Sequence, residues 1–221
     1  MTLGVADHKS YFKYKIYKNP LPNSKPNYVA FGASTTTGAV HRFTGQGTIT
    51  TQYPYPNYIA DVLGLNCINL GVGTTGFLCR NGSDNNIMDL IYNHDAELYD
   101  AKLVTIVFGY GNDETPIPNN NTIFPIGTYT DYYPYDEEGY HPSGSEGIAT
   151  MLDKGATMMG CINWCIKWIN THYPKAQLIL ILGSPSLNKI RTITQQAQSE
   201  SYGTAPYKLT FANPYATGKS K

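Results

Sequence analysis

The sequence predicts an α/β protein, a three-layer sandwich on a parallel sheet. Three observations carry that prediction. Short apolar runs alternate with segments of helical spacing, the pattern of strand–helix–strand units. One run, Lys102 to Gly109 (KLVTIVFG), is almost continuously apolar, as strands covered on both faces are. Each run also ends in Gly, Ser, Thr or Asn, the residues that gather where ligands bind at the carboxyl ends of parallel strands. A chain of 221 residues suits one main core.

Residues 1–27 lack clean periodicity and include Pro20, Pro22 and Pro26, so they read as an extended arm or linker before a domain over 28–221. Tyr28 to Phe31 is the first strand, ended by Gly32 and a Ser/Thr-rich turn. Asn57 to Gly64 has helical spacing with a Gly stop, and Cys67 to Leu70 is the second strand. Asn85 to Ala101 suits a helix, and Lys102 to Gly109 is the third strand. Residues 114–146 form a long polar excursion rich in Pro and Tyr; loops of that length in a compact domain are functional or mobile. A helix is predicted from about Glu146 to His172, with Ile148, Leu152, Met159, Ile162, Ile166 and Ile169 on one stripe. Leu178 to Leu182 is the fourth strand, and the sheet is expected to stop there. Such an ending leaves an apolar edge, so the chain is expected to be a fragment, or to pair with a partner chain or missing segment.

Composition excludes several function classes. Sixteen basic residues balance sixteen acidic ones, unlike the basic excess of nucleic-acid or anionic-membrane binders. With 41% hydrophobic and 14% charged residues the chain is not of the disordered class. No apolar run approaches the roughly 18–20 residues of a membrane span, and Met1 to Lys18 has no signal-peptide core. Nineteen Tyr and a surface rich in amides and hydroxyls favour an extracellular or virion setting and sugar-facing surfaces. Cys67, Cys79, Cys161 and Cys165 lack zinc-site spacing and read as plain thiols, and no metal or cofactor is called for. Gly71-x-Gly73-x-x-Gly76 fits the dinucleotide fingerprint as a string, but it follows the second strand and no acidic residue ends the next. The turn Gly32 to Gly38 lacks the lysine of a phosphate-binding loop.

The strand ends hold the candidate chemistry. Ser34 stands in a tight strand-to-helix turn, where neighbouring N–H groups can stabilise an oxyanion. Asn112, after the third strand, offers a further amide donor. FGASTTTGAV resembles the first block of the SGNH, or GDSL-type, hydrolases. YPYPNYIADVLGLNCINLGVG is similar to the helix and strand leading to that family's Gly block, VTIVFGYGND to its Asn-Asp block, and INTHYPKAQLILILGSPSL to the segment that follows. The likeness spans Tyr28 to Leu187.

This resemblance implies a flavodoxin-like sandwich in which Ser34 is the nucleophile. The N–H groups of Ser34 and Gly73 and the Asn112 side chain would form the oxyanion hole. Four departures stand out. Ala33 replaces the usual Asp, and Tyr110 takes a usual Gly position. The Gly block is one residue short, which leaves Gly71 as an alternative to Gly73. The family's final Asp-x-x-His block has no counterpart, because nothing after Leu187 is Asp or His. His141, with Glu138 or Asp136, mimics the spacing of that block within the long excursion; the blander reading is a solvated loop histidine. His41, seven residues after Ser34, is a second candidate base. The resemblance implies a serine ester hydrolase acting through an acyl-enzyme on small acyl esters or acetylated glycans, with no cofactor. The alternative is a non-catalytic carbohydrate-binding or structural module of a virion or cell-surface assembly.

Overall fold

The computed structural model describes residues 25–41, 48–77, 86–107, 125, 127–128, 130–135, 150–181 and 209–212. Of the arm expected over 1–27, residues 1–24 lie outside them, and Asn27 opens the first strand. Strand β1 (Asn27–Phe31) pairs in parallel with β4 (Asn66–Asn69) on one side and β5 (Ala101–Val107) on the other. Strand β6 (Gln177–Ile181) adds to β5, and β7 (Leu209–Ala212) adds to β6. The order β4-β1-β5-β6-β7 is parallel throughout, which bears out the predicted sheet. The expectation of a sheet ending at its fourth strand is corrected: Leu209–Ala212 pairs along Leu178–Ile181 and covers that edge. A second, two-stranded sheet was not foreseen. In it β2 (Ala39–His41) runs antiparallel to β3 (Thr48–Thr50).

Alternation along β1 explains why its run is apolar throughout. Val29 and Phe31 join one cluster, with Val104 and Ile106 of β5 and Leu178 and Leu180 of β6. Tyr28 and Ala30 join a second cluster on the opposite face, with Leu103 and Ala60. The larger cluster is closed by α3 (Ile87–Asn93) and α5 (Met158–His172), and the smaller by α2 (Tyr55–Leu63). The sheet is therefore covered on both faces, the three layers foreseen.

Helix α2 follows Pro54 and stops at Gly64, whose φ of 66° suits a left-handed cap. There the Leu65 N–H donates to the Ala60 carbonyl (2.8 Å) and the Gly64 N–H to Asp61 (3.3 Å). The helix predicted over Asn85–Ala101 is two helices, α3 and α4 (Asp95–Leu98), parted at His94. Asn93, His94 and Asp95 are all weak helix formers, so the break is local in origin. Asn86 caps α3 by accepting the Asp89 N–H at 2.8 Å.

The long helix predicted from Glu146 is corrected as well. Residues 150–153 make one helical turn, Gly155 takes a φ of 74°, and α5 begins only at Met158. Thr157 caps it, its Oγ1 accepting the Gly160 N–H at 3.0 Å. Of the expected stripe, Met159, Ile162, Ile166 and Ile169 are buried with Cys161 and Cys165 among them, Leu152 is half-buried, and Ile148 lies outside the described residues.

Part of the long excursion is packed rather than loose. Tyr133 and Tyr135 are buried in the larger cluster. The Tyr135 hydroxyl donates to Asp89 (2.9 Å), and its carbonyl accepts the Trp164 indole N–H (2.9 Å). This strap joins α3 to α5. With Tyr28 and Tyr173 also buried, some of the tyrosine richness serves the interior rather than the surface.

Burial also sets an alkaline limit. The Tyr28 phenol rises above its ordinary 10.0, chiefly by desolvation and then by the neighbouring Tyr55, and the Cys165 thiol rises above 9.0 by burial. A raised folded-state value means that the native state holds its proton longer than the unfolded chain. That stability is complete below the ordinary value and is lost as pH climbs above it. Melting temperature should therefore fall between about pH 9 and 11, and Tyr28→Phe should flatten the decline relative to the parent. Parallel melting curves for the two proteins check this.

Candidate active site

The turn after β1 is short and tightly bonded. Ala33 is the N-cap residue of α1 (Ser34–Thr37), a single helical turn, and Gly38 closes it with a φ of 96°. The Ala33 carbonyl accepts from the Thr36 N–H (2.9 Å) and the Thr37 N–H (3.2 Å), and the Thr37 hydroxyl donates to the Ser34 carbonyl (2.7 Å). Ser34 opens the helix at the carboxyl end of β1 and is half-buried. On the far side, the Gly38 carbonyl accepts the Thr51 N–H at 2.8 Å, tying the turn to the chain just beyond β3.

The turn after β4 lies against it. The Leu70 N–H donates to Ala30 (2.8 Å) and the Val72 N–H to Gly32 (2.9 Å), which continues the β1–β4 pairing into the two turns. Asn69 bridges them with both ends of its amide: Nδ2 donates to the Thr36 carbonyl (2.7 Å) and Oδ1 accepts the Gly71 N–H (3.0 Å). A Cβ on Gly71 would stand 2.8 Å from the Thr36 Cβ and 2.8 Å from the Thr37 backbone nitrogen. A Cβ on Gly73 would meet nothing within 4 Å. The two candidate glycines thus differ: Gly71 is a packing residue with its N–H committed to Asn69, whereas Gly73 is exposed. Thr74, next to it, is the one non-glycine residue with positive φ (66°) among those described. A β-branched residue in that region is a strained outlier, and such residues gather at functional turns.

That contrast makes a prediction. Gly71→Ala should cost about 1–3 kcal/mol, because backbone must move to admit the methyl group. Gly73→Ala should stay within about 0.5 kcal/mol of the parent. Chemical denaturation of both variants is the check.

Beneath the Ser34 turn lies a set of buried hydroxyls. The Thr36 Oγ1 is 3.3 Å from the Tyr55 hydroxyl, and Tyr28 OH is 2.8 Å from Thr105 Oγ1. Tyr55 also interacts with Tyr28 and Thr105, so β1, β5, α2 and the Ser34 turn meet through uncharged polar groups. Desolvation raises the Tyr55 phenol, and it stays protonated around neutrality. Neither Asn69 nor Thr36 was singled out from the sequence, since Asn and Thr are ordinary turn residues.

The structure therefore brings Ser34, Gly71 and Gly73 to adjacent strand ends. Asn112 and Tyr110 after β5, and Asp136, Glu138 and His141 in the excursion, lie outside the described residues. His41 ends β2. Among the described residues no cluster of His, Cys, Asp or Glu could hold a metal ion, and no helix is long and apolar enough to cross a membrane. One cleft of about 340 Å³, lined in part by Tyr99, Lys102, His172 and Lys175, opens where β5 and β6 begin, away from Ser34.

Comparison with solved structures defines the fold class. A family two carbohydrate esterase from Clostridium thermocellum, solved with cellohexaose, matches with a TM-score of 0.53 over 88% of this chain and 56% of its own, at 15% identity. The family two carbohydrate esterase from Cellvibrio japonicus gives 0.53, 88%, 54% and 15%. A protein from Lactobacillus plantarum gives 0.51, 89%, 81% and 16%. The chain shares the α/β fold of these structures, and it spans a little over half the length of the two named esterases. No protein-family model and no curated protein matches the sequence.

Proposed function

We propose that this chain is a serine esterase of the SGNH type that removes acyl groups, O-acetyl groups on carbohydrate in particular, through an acyl-enzyme. The observation that carries the reading is the docking of the Ser34 turn against the Gly71–Thr74 loop at adjacent strand ends, where that family's first two blocks would meet. The esterase-like fold supports it.

In this reading the Ser34 Oγ attacks the ester carbonyl carbon while its proton passes to a base. The carbonyl oxygen becomes an oxyanion, held by the N–H groups of Ser34 and Gly73 and by the Asn112 amide. Gly73 is preferred over Gly71, whose N–H already serves Asn69. Collapse expels the sugar hydroxyl, which takes the proton from the base, and leaves an acyl-Ser34. Water then repeats the sequence and releases the acid. His141 is the proposed base, with Glu138 or Asp136 to orient it. Losing one oxyanion donor typically costs about 10²–10³ in rate.

Fluorophosphonate labelling tests the assignment, because only an activated serine reacts. Intact mass should show one adduct, and peptide mapping should place it on Ser34. An unlabelled protein, or an adduct elsewhere, overturns the reading and returns the chain to the carbohydrate-binding alternative.

A further inference from the structure

We propose that Thr36 is a positioning residue, locking the Ser34 turn to the Gly71–Gly73 loop through a hydroxyl anchored on Tyr55. This rests on the esterase reading, in which the two turns carry the nucleophile and the oxyanion donors.

Thr36 is fully buried, although it lies two residues beyond Ser34 in a turn at the carboxyl end of β1. Each part of it has a different neighbour. Its N–H donates to the Ala33 carbonyl at 2.9 Å and closes the turn that presents Ser34. Its carbonyl accepts from Asn69 Nδ2 at 2.7 Å, and Asn69 in turn holds the Gly71 N–H. The Cβ and Cγ2 of Thr36 fill the space that a side chain on Gly71 would need, at 2.8 and 2.9 Å. Its Oγ1 takes the place that a Cβ on Gly32 would occupy and stands 3.3 Å from the Tyr55 hydroxyl. Tyr55 sits on α2 and joins the buried Tyr28–Thr105 pair, so the anchor reaches β1 and its neighbour β5.

The arrangement has a reason. The N-cap of α1 is Ala33, and no side chain caps this helix, so the turn lacks the usual support at its own N-terminus. Support comes instead from below and from the side, through Thr36. A buried hydroxyl stripped of its partner costs more than the hydrogen bond itself is worth, so removing the Tyr55 hydroxyl would leave the buried Thr36 Oγ1 without the partner it has here. Misplacing a nucleophile by about 1 Å can cost about 10²-fold in rate.

The test compares Thr36→Val, which keeps the shape and loses the hydroxyl, with Thr36→Ser, which keeps the hydroxyl, and with Tyr55→Phe. Two readouts are needed. The first is the rate of fluorophosphonate labelling at Ser34, with kcat and KM on a short acetyl ester. Thr36→Val should slow labelling and kcat by about 10–100-fold with KM within about twofold, and Thr36→Ser should recover most of the loss. Tyr55→Phe should act in the same direction, and adding it to Thr36→Val should bring little further loss. The second readout is backbone amide exchange at Thr37 and Val72, whose N–H groups hold the two turns. It should quicken by about tenfold or more in Thr36→Val while the β5 amides exchange as in the parent.

Parent-like labelling and exchange in Thr36→Val would overturn the proposal. So would a Thr36→Ser variant as impaired as Thr36→Val, because the hydroxyl would then not be the anchor. Failure of the parent itself to label or turn over would overturn the esterase reading and, with it, the positioning role of Thr36 in catalysis. Amide exchange in the same variants would then decide whether the lock between the two turns exists.

Discussion

Ser34→Ala should lower turnover of a short acyl ester by about 10³-fold or more while leaving the fold intact. The first half follows from the proposed chemistry, in which no other atom can form the acyl-enzyme. The second follows from how the turn is built. The bonds that close it use the backbone carbonyls of Ala33, Ser34 and Thr35, together with the Thr37 hydroxyl. Replacing a half-buried serine there should change stability by no more than about 0.5–1 kcal/mol. Activity and melting temperature should therefore separate cleanly. An alanine variant as active as the parent would remove Ser34 from the mechanism, whereas a joint loss of activity and fold would point to a structural role.

The largest effect on stability is expected at Trp164. Its side chain is 1% exposed, stacks on Trp168 with centroids 5.1 Å apart, and meets Tyr135 edge-on at 5.0 Å. Its indole N–H satisfies the Tyr135 carbonyl. Trp164→Ala should cost about 3–5 kcal/mol from lost burial and the cavity left behind. At about 2–4 °C per kcal/mol for a domain of this size, melting should fall by on the order of 10 °C. Trp164→Phe keeps an aromatic ring and should cost less, although it leaves the carbonyl without its donor. A loss under about 1 kcal/mol for the alanine variant would mean that the strap over α5 repacks freely.

The parts of this fold that could be read from sequence are those whose signal is local. Strands β1, β4, β5 and β6 fall within one or two residues of expectation, because an apolar run ending in Gly or Asn marks both the strand and its carboxyl end. The helix before β6 was read too long because its apolar stripe continues in phase across Gly155, whose positive φ ends the preceding turn. Strand β7 is four residues between Pro206 and Pro214, too short to show periodicity. The hairpin of β2 and β3 escaped for the same reason, with three residues on each side. At the candidate site, Ser34 and the Gly run were legible as a motif. The bridging by Asn69 and the burial of Thr36 arise only when β1 and β4 pair, and pairing partners are not written in either segment alone.

The strand order also bears on how the chain can fold as it leaves the ribosome. The β1–β4 pair, which carries both turns of the candidate site, is complete by Asn69, and β5, β6 and β7 then join in sequence on the other side of β1. No later strand has to be inserted between two that have already paired. Growth from a single open flank spares a parallel sheet one of its kinetic difficulties, since each non-local pairing is made onto an existing edge. The strands that carry the Ser34 turn are thus laid down first, and the rest of the sheet is added to them.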